Sequence, residues 1–156
     1  MRLAALLIVV ATTTATAQDL RYDPGVTLGC LAGTTVSERC VGAAARACMD
    51  ETSGGRTTVG MGGCLDAERR FWDDRLNAAY GPLRAAHRAG GEGPRADALR
   101  DMQRAWIAYR DAACTYERMG WLGGTGGDPA TAECLMEATA RQALVLERWL
   151  RAERAR

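Results

Sequence analysis

Cysteine placement constrains this chain more than any other feature: Cys30, Cys40, Cys48, Cys64, Cys114 and Cys134 all lie downstream of a leader. That leader has one basic residue, Arg2, an apolar run from Leu3 to Ala11, a Thr/Ala stretch and Ala15-Thr16-Ala17 before Gln18. The pattern fits a secretory signal peptide over residues 1–17, cut after Ala17. A spanning helix needs about 20 apolar residues, and Thr12 to Thr16 interrupt the run too early. Gln18, not a cysteine, would become the new N-terminus, so lipid attachment is unsupported and no membrane anchor is expected. A periplasmic or secreted protein follows, and an even cysteine count in an exported chain is the usual sign of a disulfide framework. Zinc sites use closely paired ligands, whereas the nearest cysteines here are Cys40 and Cys48 and the one histidine is His87. Neither metal nor cofactor is expected. Six cysteines allow many pairings, and spacing alone does not choose among them.

Removing 17 of the 156 residues leaves 139, enough for one domain with a modest core. Loss of Arg2 leaves 19 basic residues against 19 acidic ones. A near-neutral chain has no electrostatic case for nucleic acid or an anionic membrane surface. Every basic residue other than His87 is arginine.

Helical periodicity dominates what remains. Residues 18–27 read as a flexible arm, with Pro24-Gly25 as a turn signal, and Leu28 to Ala32 as a single helical turn. Ser37 reads as the N-cap of an alanine-rich helix from Glu38 to about Glu51. A second helix is expected from Thr58 to about Tyr80, with Leu65, Trp72, Leu76, Ala79, Tyr80 and Leu83 on one face, kinked or ended by Gly81-Pro82. After a flexible link over Ala89 to Pro94, a third runs from Arg95 to about Met119, its stripe formed by Leu99, Met102, Trp106, Tyr109, Ala113 and Tyr116. The last begins with Asp128 as N-cap and Pro129 in the first turn and turns Leu135, Ala138, Gln142, Val145, Leu146 and Trp149 inward to about Ala152. No segment alternates as a strand does. The expected fold is a small all-α, disulfide-stapled domain with two or three long antiparallel helices.

Little in the chain resembles a catalytic constellation. His87 lies between arginines on an expected helix end and reads as a surface histidine, with no serine elbow or free cysteine to serve. Glu68, Asp73 and Asp74 are interleaved with Arg69, Arg70 and Arg75, the pattern of a solvated face and not of two carboxyls with separated acidities in an apolar cleft. Gly123-Gly124-Thr125-Gly126-Gly127 lacks the Lys-Ser/Thr of a phosphate loop and reads as a tight reversal. Arg110 and Asp111, on the helix before it, read as a structural brace, since an arginine has donors enough for several loop carbonyls. Trp121 in the loop reads either as a binding anchor or as a lid folded back on the helices.

Gln103-Arg104-Ala105-Trp106-Ile107-Ala108-Tyr109-Arg110-Asp111-Ala112-Ala113-Cys114, the glycine loop, Cys134 and the upstream Leu76-Asn77-x-x-Tyr80 together resemble the LprI-type lysozyme-inhibitor N-terminal domain, a family of small exported bacterial proteins. The resemblance covers roughly Cys48 to Leu150 and makes residues 28–156 a single LprI-like domain. It implies the pairs Cys48–Cys64 and Cys114–Cys134, and pairing in sequence order adds Cys30–Cys40. It also implies a non-enzymatic binding protein that occludes the lysozyme cleft. That cleft holds a glutamate and an aspartate, so the candidate contacts are Arg56 in the loop Ser53 to Gly63, and Arg118, Trp121 and Thr125 in the loop Arg118 to Asp128. The partner is then lysozyme or another envelope protein; the alternative is a structural or accessory envelope protein with no lysozyme inhibition.

Arginines at 39, 46, 56, 69 and 118 place each cysteine on its own tryptic peptide. A non-reducing digest is expected to give three linked pairs in sequence order; a mass joining peptide 40–46 to peptide 47–56 would contradict this pairing.

Overall fold

The computed structural model describes residues 19–156, so the expected leader and its cleavage point lie outside the described residues. Five α-helices follow in order: α1 (Pro24–Gly33), α2 (Ala43–Glu51), α3 (Thr58–Ala89), α4 (Gly93–Met119) and α5 (Gly127–Arg154), with a short 3-10 turn at Ser37–Cys40 before α2. No strand occurs among the described residues. This is an all-α fold stapled by Cys30–Cys40, Cys48–Cys64 and Cys114–Cys134.

α3 is the spine, about 48 Å long at the usual helical rise. Thr57 caps it by accepting from the Gly60 N–H at 3.1 Å, and Leu65, Trp72, Leu76, Ala79 and Leu83 line its buried face. The helix does not end near Tyr80 but continues through Pro82. Gly81 and Pro82 both face solvent, where the carbonyl that proline leaves free is not confined to a dry core, while Leu83 and His87 keep the far side packed.

Cross-helix contacts fix the topology. Arg75 on α3 meets Glu147 on α5 at 2.7 Å, and His87 near the end of α3 meets Glu153 near the end of α5, so these two helices run parallel. α4 runs back antiparallel alongside them: Gln142 donates to Gln103 at 2.9 Å, and Cys114 is bridged to Cys134. The core lies along the α3–α5 contact, where Ala140 and Ala143 allow close approach to Trp72, Leu76 and Ala79.

Two stripes differ from their expected registers. On α4, Leu99 is buried and Met102 and Trp106 are half-buried, but Tyr109 and Tyr116 are exposed and the inward positions are Gln103, Arg110 and Cys114. Steps of three and four from Leu99 reach either set; polar residues fill the true face, so hydrophobicity pointed to its neighbour. On α5, Gln142 and Leu146 are buried as expected, Trp149 is exposed, and Met136, Thr139, Ala140, Ala143 and Leu150 complete the face. Asp128 is not its N-cap: the helix starts at Gly127, and Asp128 pairs with Arg118.

The N-terminal region departs furthest. Residues 19–27 are not a loose arm. Asp23 caps α1 by accepting from the Gly25 N–H at 2.7 Å, the Arg21 N–H donates to Thr52 Oγ1 at 2.9 Å, and Thr27 is buried. The expected helix from Glu38 to Glu51 is broken at Gly42, whose φ of 80° is left-handed. The cause is Glu68. Expected on a solvated face, it is 0% exposed. Its Oε1 accepts from Gly42 N–H at 2.8 Å, Trp72 Nε1 at 3.0 Å and Thr27 Oγ1 at 3.2 Å, and its Oε2 from Ala45 N–H at 2.6 Å. Thr27 Oγ1 in turn accepts from the Ala44 N–H at 3.2 Å. The open N–H groups of α2 thus have no cap from its own N-cap residue and are closed by a carboxylate on α3.

Glu68→Ala leaves several buried donors unpaired at once and is expected to cost about 3 kcal/mol or more in urea unfolding. Tyr22 lies half-buried near this carboxylate with its hydroxyl unpartnered. Burial first, then the charges of Glu68 and Asp23, push its phenol well above the ordinary value. The unfolded chain therefore ionises first: the contribution is complete below about pH 10 and is lost progressively above it. Tyr22→Phe is expected to flatten that alkaline fall in the urea midpoint, and an unchanged slope would contradict it.

Candidate functional site

The turn between α4 and α5 is short of side chains and rich in unusual backbone. Leu122 and Gly123 are successively left-handed, with φ of 48° and 84°, and together reverse the chain. The Gly124 N–H closes the bend on the Trp121 carbonyl at 2.7 Å. Trp121 folds its indole over Gly126, where a Cβ would meet the ring at 2.2 Å, so only glycine fits beneath it. The same indole is 51% exposed, so it covers the bend with one side and presents the other to solvent. Leu122 is 94% exposed. Tyr116 and Met119, at the end of α4, are also exposed, so this corner gathers four exposed large apolar side chains. Cys114–Cys134 ties the two helices at the base of the turn.

Parallel α3 and α5 bring the two expected contact loops to one end of the molecule. Trp121 and Thr125 from the α4–α5 turn and Thr58 and Met61 from the start of α3 line one cleft of about 510 Å³, together with Met49 of α2. Arg118 projects beside it, paired with Asp128. Arg56 lies in the turn before α3, exposed and paired with Asp50. Both arginines therefore stand at the surface with a carboxylate already in hand. Leu122 was not singled out from sequence; its signal was an apolar residue inside a glycine run, where backbone needs would favour glycine.

Arg110 and Asp111 do not hold the turn. Arg110 donates through Nε to Asp111 Oδ1 at 2.9 Å, and its guanidinium lies 5.0 Å from the centre of the Trp106 ring. Side chains on a helix lean toward its N-terminus, which carries Arg110 away from the loop and onto Trp106. There it joins Leu76, Asn77, Tyr80 and Gln103 along a groove of about 590 Å³ between α3 and α4. Leu76, Asn77 and Tyr80 thus meet Gln103, Trp106 and Arg110, a part of the residues that carried the family resemblance, on one side of the helix pair.

His87 is not at the surface. Because α3 continues past Pro82, His87 sits one turn beyond Leu83 on the buried face and is 4% exposed. Asp73 and Asp74, by contrast, lie toward solvent. Among the described residues, no helix is long and apolar enough to cross a membrane.

Fold and turn together describe a small all-α module, disulfide-closed at one end, that presents a rigid apolar corner. The family model for the lysozyme inhibitor LprI matches residues 48–146, and the chain belongs to this family. It is also similar to an uncharacterized 17.7 kDa protein in the puhA 5′ region of Rhodobacter capsulatus, at 28% identity over 134 residues that cover 78% of this chain and 82% of the relative. No solved structure matches the chain at a significant level.

Proposed function

We propose that this protein is exported, loses residues 1–17, and acts outside the cytoplasm as a non-enzymatic inhibitor of lysozyme. Membership of the LprI family supports the class of target. The observation that carries the mode of action is Leu122, an almost fully exposed apolar side chain held at positive φ on a disulfide-closed turn. Trp121 and Leu122 enter the substrate cleft as an apolar wedge. Arg118 and Arg56 flank them and exchange Asp128 and Asp50 for the carboxylates of the lysozyme cleft. Because the turn is already ordered, docking loses little conformational entropy. Thr125 lies beside Trp121 and supplies a polar rim.

The test is lysis of cell walls by several lysozyme types in the presence of the oxidised protein. Stoichiometric loss of lysis is expected. Trp121→Ala and Leu122→Asp are each expected to weaken inhibition by about 30-fold, the effect of a central contact worth about 2 kcal/mol. Unchanged lysis at large molar excess would overturn inhibition and favour a structural or accessory role in the envelope. Full inhibition by both variants would move the contact away from this turn.

A further inference from the structure

The three disulfides all lie toward the end of the molecule where α3 and α5 begin and α4 finishes. At the opposite end, three side chains from separate segments converge. His87 comes from the last turns of α3, Glu92 from the α3–α4 turn, and Glu153 from the last turn of α5. His87 Nδ1 lies 3.2 Å from Glu92 Oε2 and 3.8 Å from Glu153 Oε2. Although close to both, this buried nitrogen is out of line for a hydrogen bond and has no partner. The two groups nearest this nitrogen are carboxylates, and with its lone pair turned toward them one cation among the three satisfies them all.

We propose that His87, Glu92 and Glu153 form a three-ligand site for a zinc-type divalent ion. One imidazole nitrogen and two carboxylate oxygens suit such an ion, with the fourth position left to water. Tetrahedral ligands at zinc bonding distance stand about 3.3 Å apart, so the 3.2 Å separation needs no movement and the 3.8 Å one a contraction of a side chain at a helix end. His87 and Glu153 line a cavity of about 460 Å³, with Leu83, Leu99, Met102 and Trp149 among its other walls, which leaves room for the water. Two arginines compete for the carboxylates. Arg95 Nη1 is 2.8 Å from Glu92 and 3.6 Å from Glu153, and Arg156 Nη1 is 3.5 Å from Glu153. Both are half-exposed or more and free to swing into solvent. Bound metal would join α3, the α3–α4 turn and α5 at the end that no disulfide reaches.

The experiment is calorimetric titration of the untagged, oxidised, chelator-treated protein with zinc chloride, paired with thermal unfolding and with cobalt(II) absorption as a report on ligand geometry. One saturable equivalent and a raised Tm are expected. His87→Ala is expected to abolish binding. Since that residue is buried, Glu92→Gln at a half-exposed position provides the second variant: it should keep the helical circular dichroism and weaken binding at least tenfold. Arg95→Ala, which removes a competing charge, should tighten binding several-fold, an outcome that a purely structural His87 cluster would not produce. Absence of saturable binding, or an affinity indifferent to both Glu92→Gln and Arg95→Ala, would overturn the site.

Discussion

The N-terminal half of this fold depends on a single buried carboxylate. Nothing local stops α2 from fraying: its N-cap is glycine, its first turn is alanine, and it has nine residues, below the length at which an isolated helix persists. Glu68 supplies from α3 what the local sequence lacks. It accepts from Gly42 and Ala45, and through Thr27 it reaches Ala44, so the first turn of α2 is satisfied from outside. Burying a charge without compensation is prohibitive. Here the negative carboxylate meets the positive end of a helix and four donors, including the Trp72 indole. The same four bonds fix where α1 sits, because Thr27 belongs to that helix, and they set the left-handed turn at Gly42. Cys30–Cys40 and Cys48–Cys64 then tether segments whose positions Glu68 already specifies.

Parallel α3 and α5 turn this local arrangement into a polarity of the whole molecule. One end gathers the disulfides, the glycine turn and the exposed apolar corner. The other gathers His87, Glu92 and Glu153 beside two exposed arginines. Antiparallel neighbours alone would have scattered these features; the return of the chain through α4 collects them. The rigid end is therefore suited to presenting a surface, and the opposite end holds its helices together by charge instead of by covalent links.

Much of this was legible from residue order, and the failures share a cause. Long amphipathic stretches such as Leu65 to Leu83 announced helices because their period is independent of partners. Positions whose role depends on a distant partner did not announce themselves. Glu68 looked solvated because Arg69 and Arg70 flank it, yet adjacent residues on a helix face different directions. His87 looked exposed because Gly81-Pro82 was expected to stop the helix; once α3 continues, the register carries His87 inward. On α4, Tyr109 and Tyr116 continued an apolar count while the true inward face was taken up by Gln103 and Arg110, whose burial is supported by Gln142 and Trp106. For Glu68 and on α4 the error came from judging burial by polarity where a hydrogen bond or stacking contact decided it; for His87 it came from the expected helix end.

The α4–α5 turn obeys the opposite logic, since there the local backbone conflicts with the local residue. A non-glycine residue in the left-handed region costs about 1 kcal/mol or more, and glycines surround Leu122 where one more would have relieved the strain. Its side chain gives nothing back to the fold, being 94% exposed. The turn keeps its shape because Trp121 lies on Gly126, the Gly124 N–H is held by the Trp121 carbonyl, and Cys114–Cys134 closes the base. These three constraints absorb the strain and leave Leu122 no alternative direction. An apolar tip held in this way beside a half-exposed indole has the shape that the proposed wedge into a cleft on another protein requires.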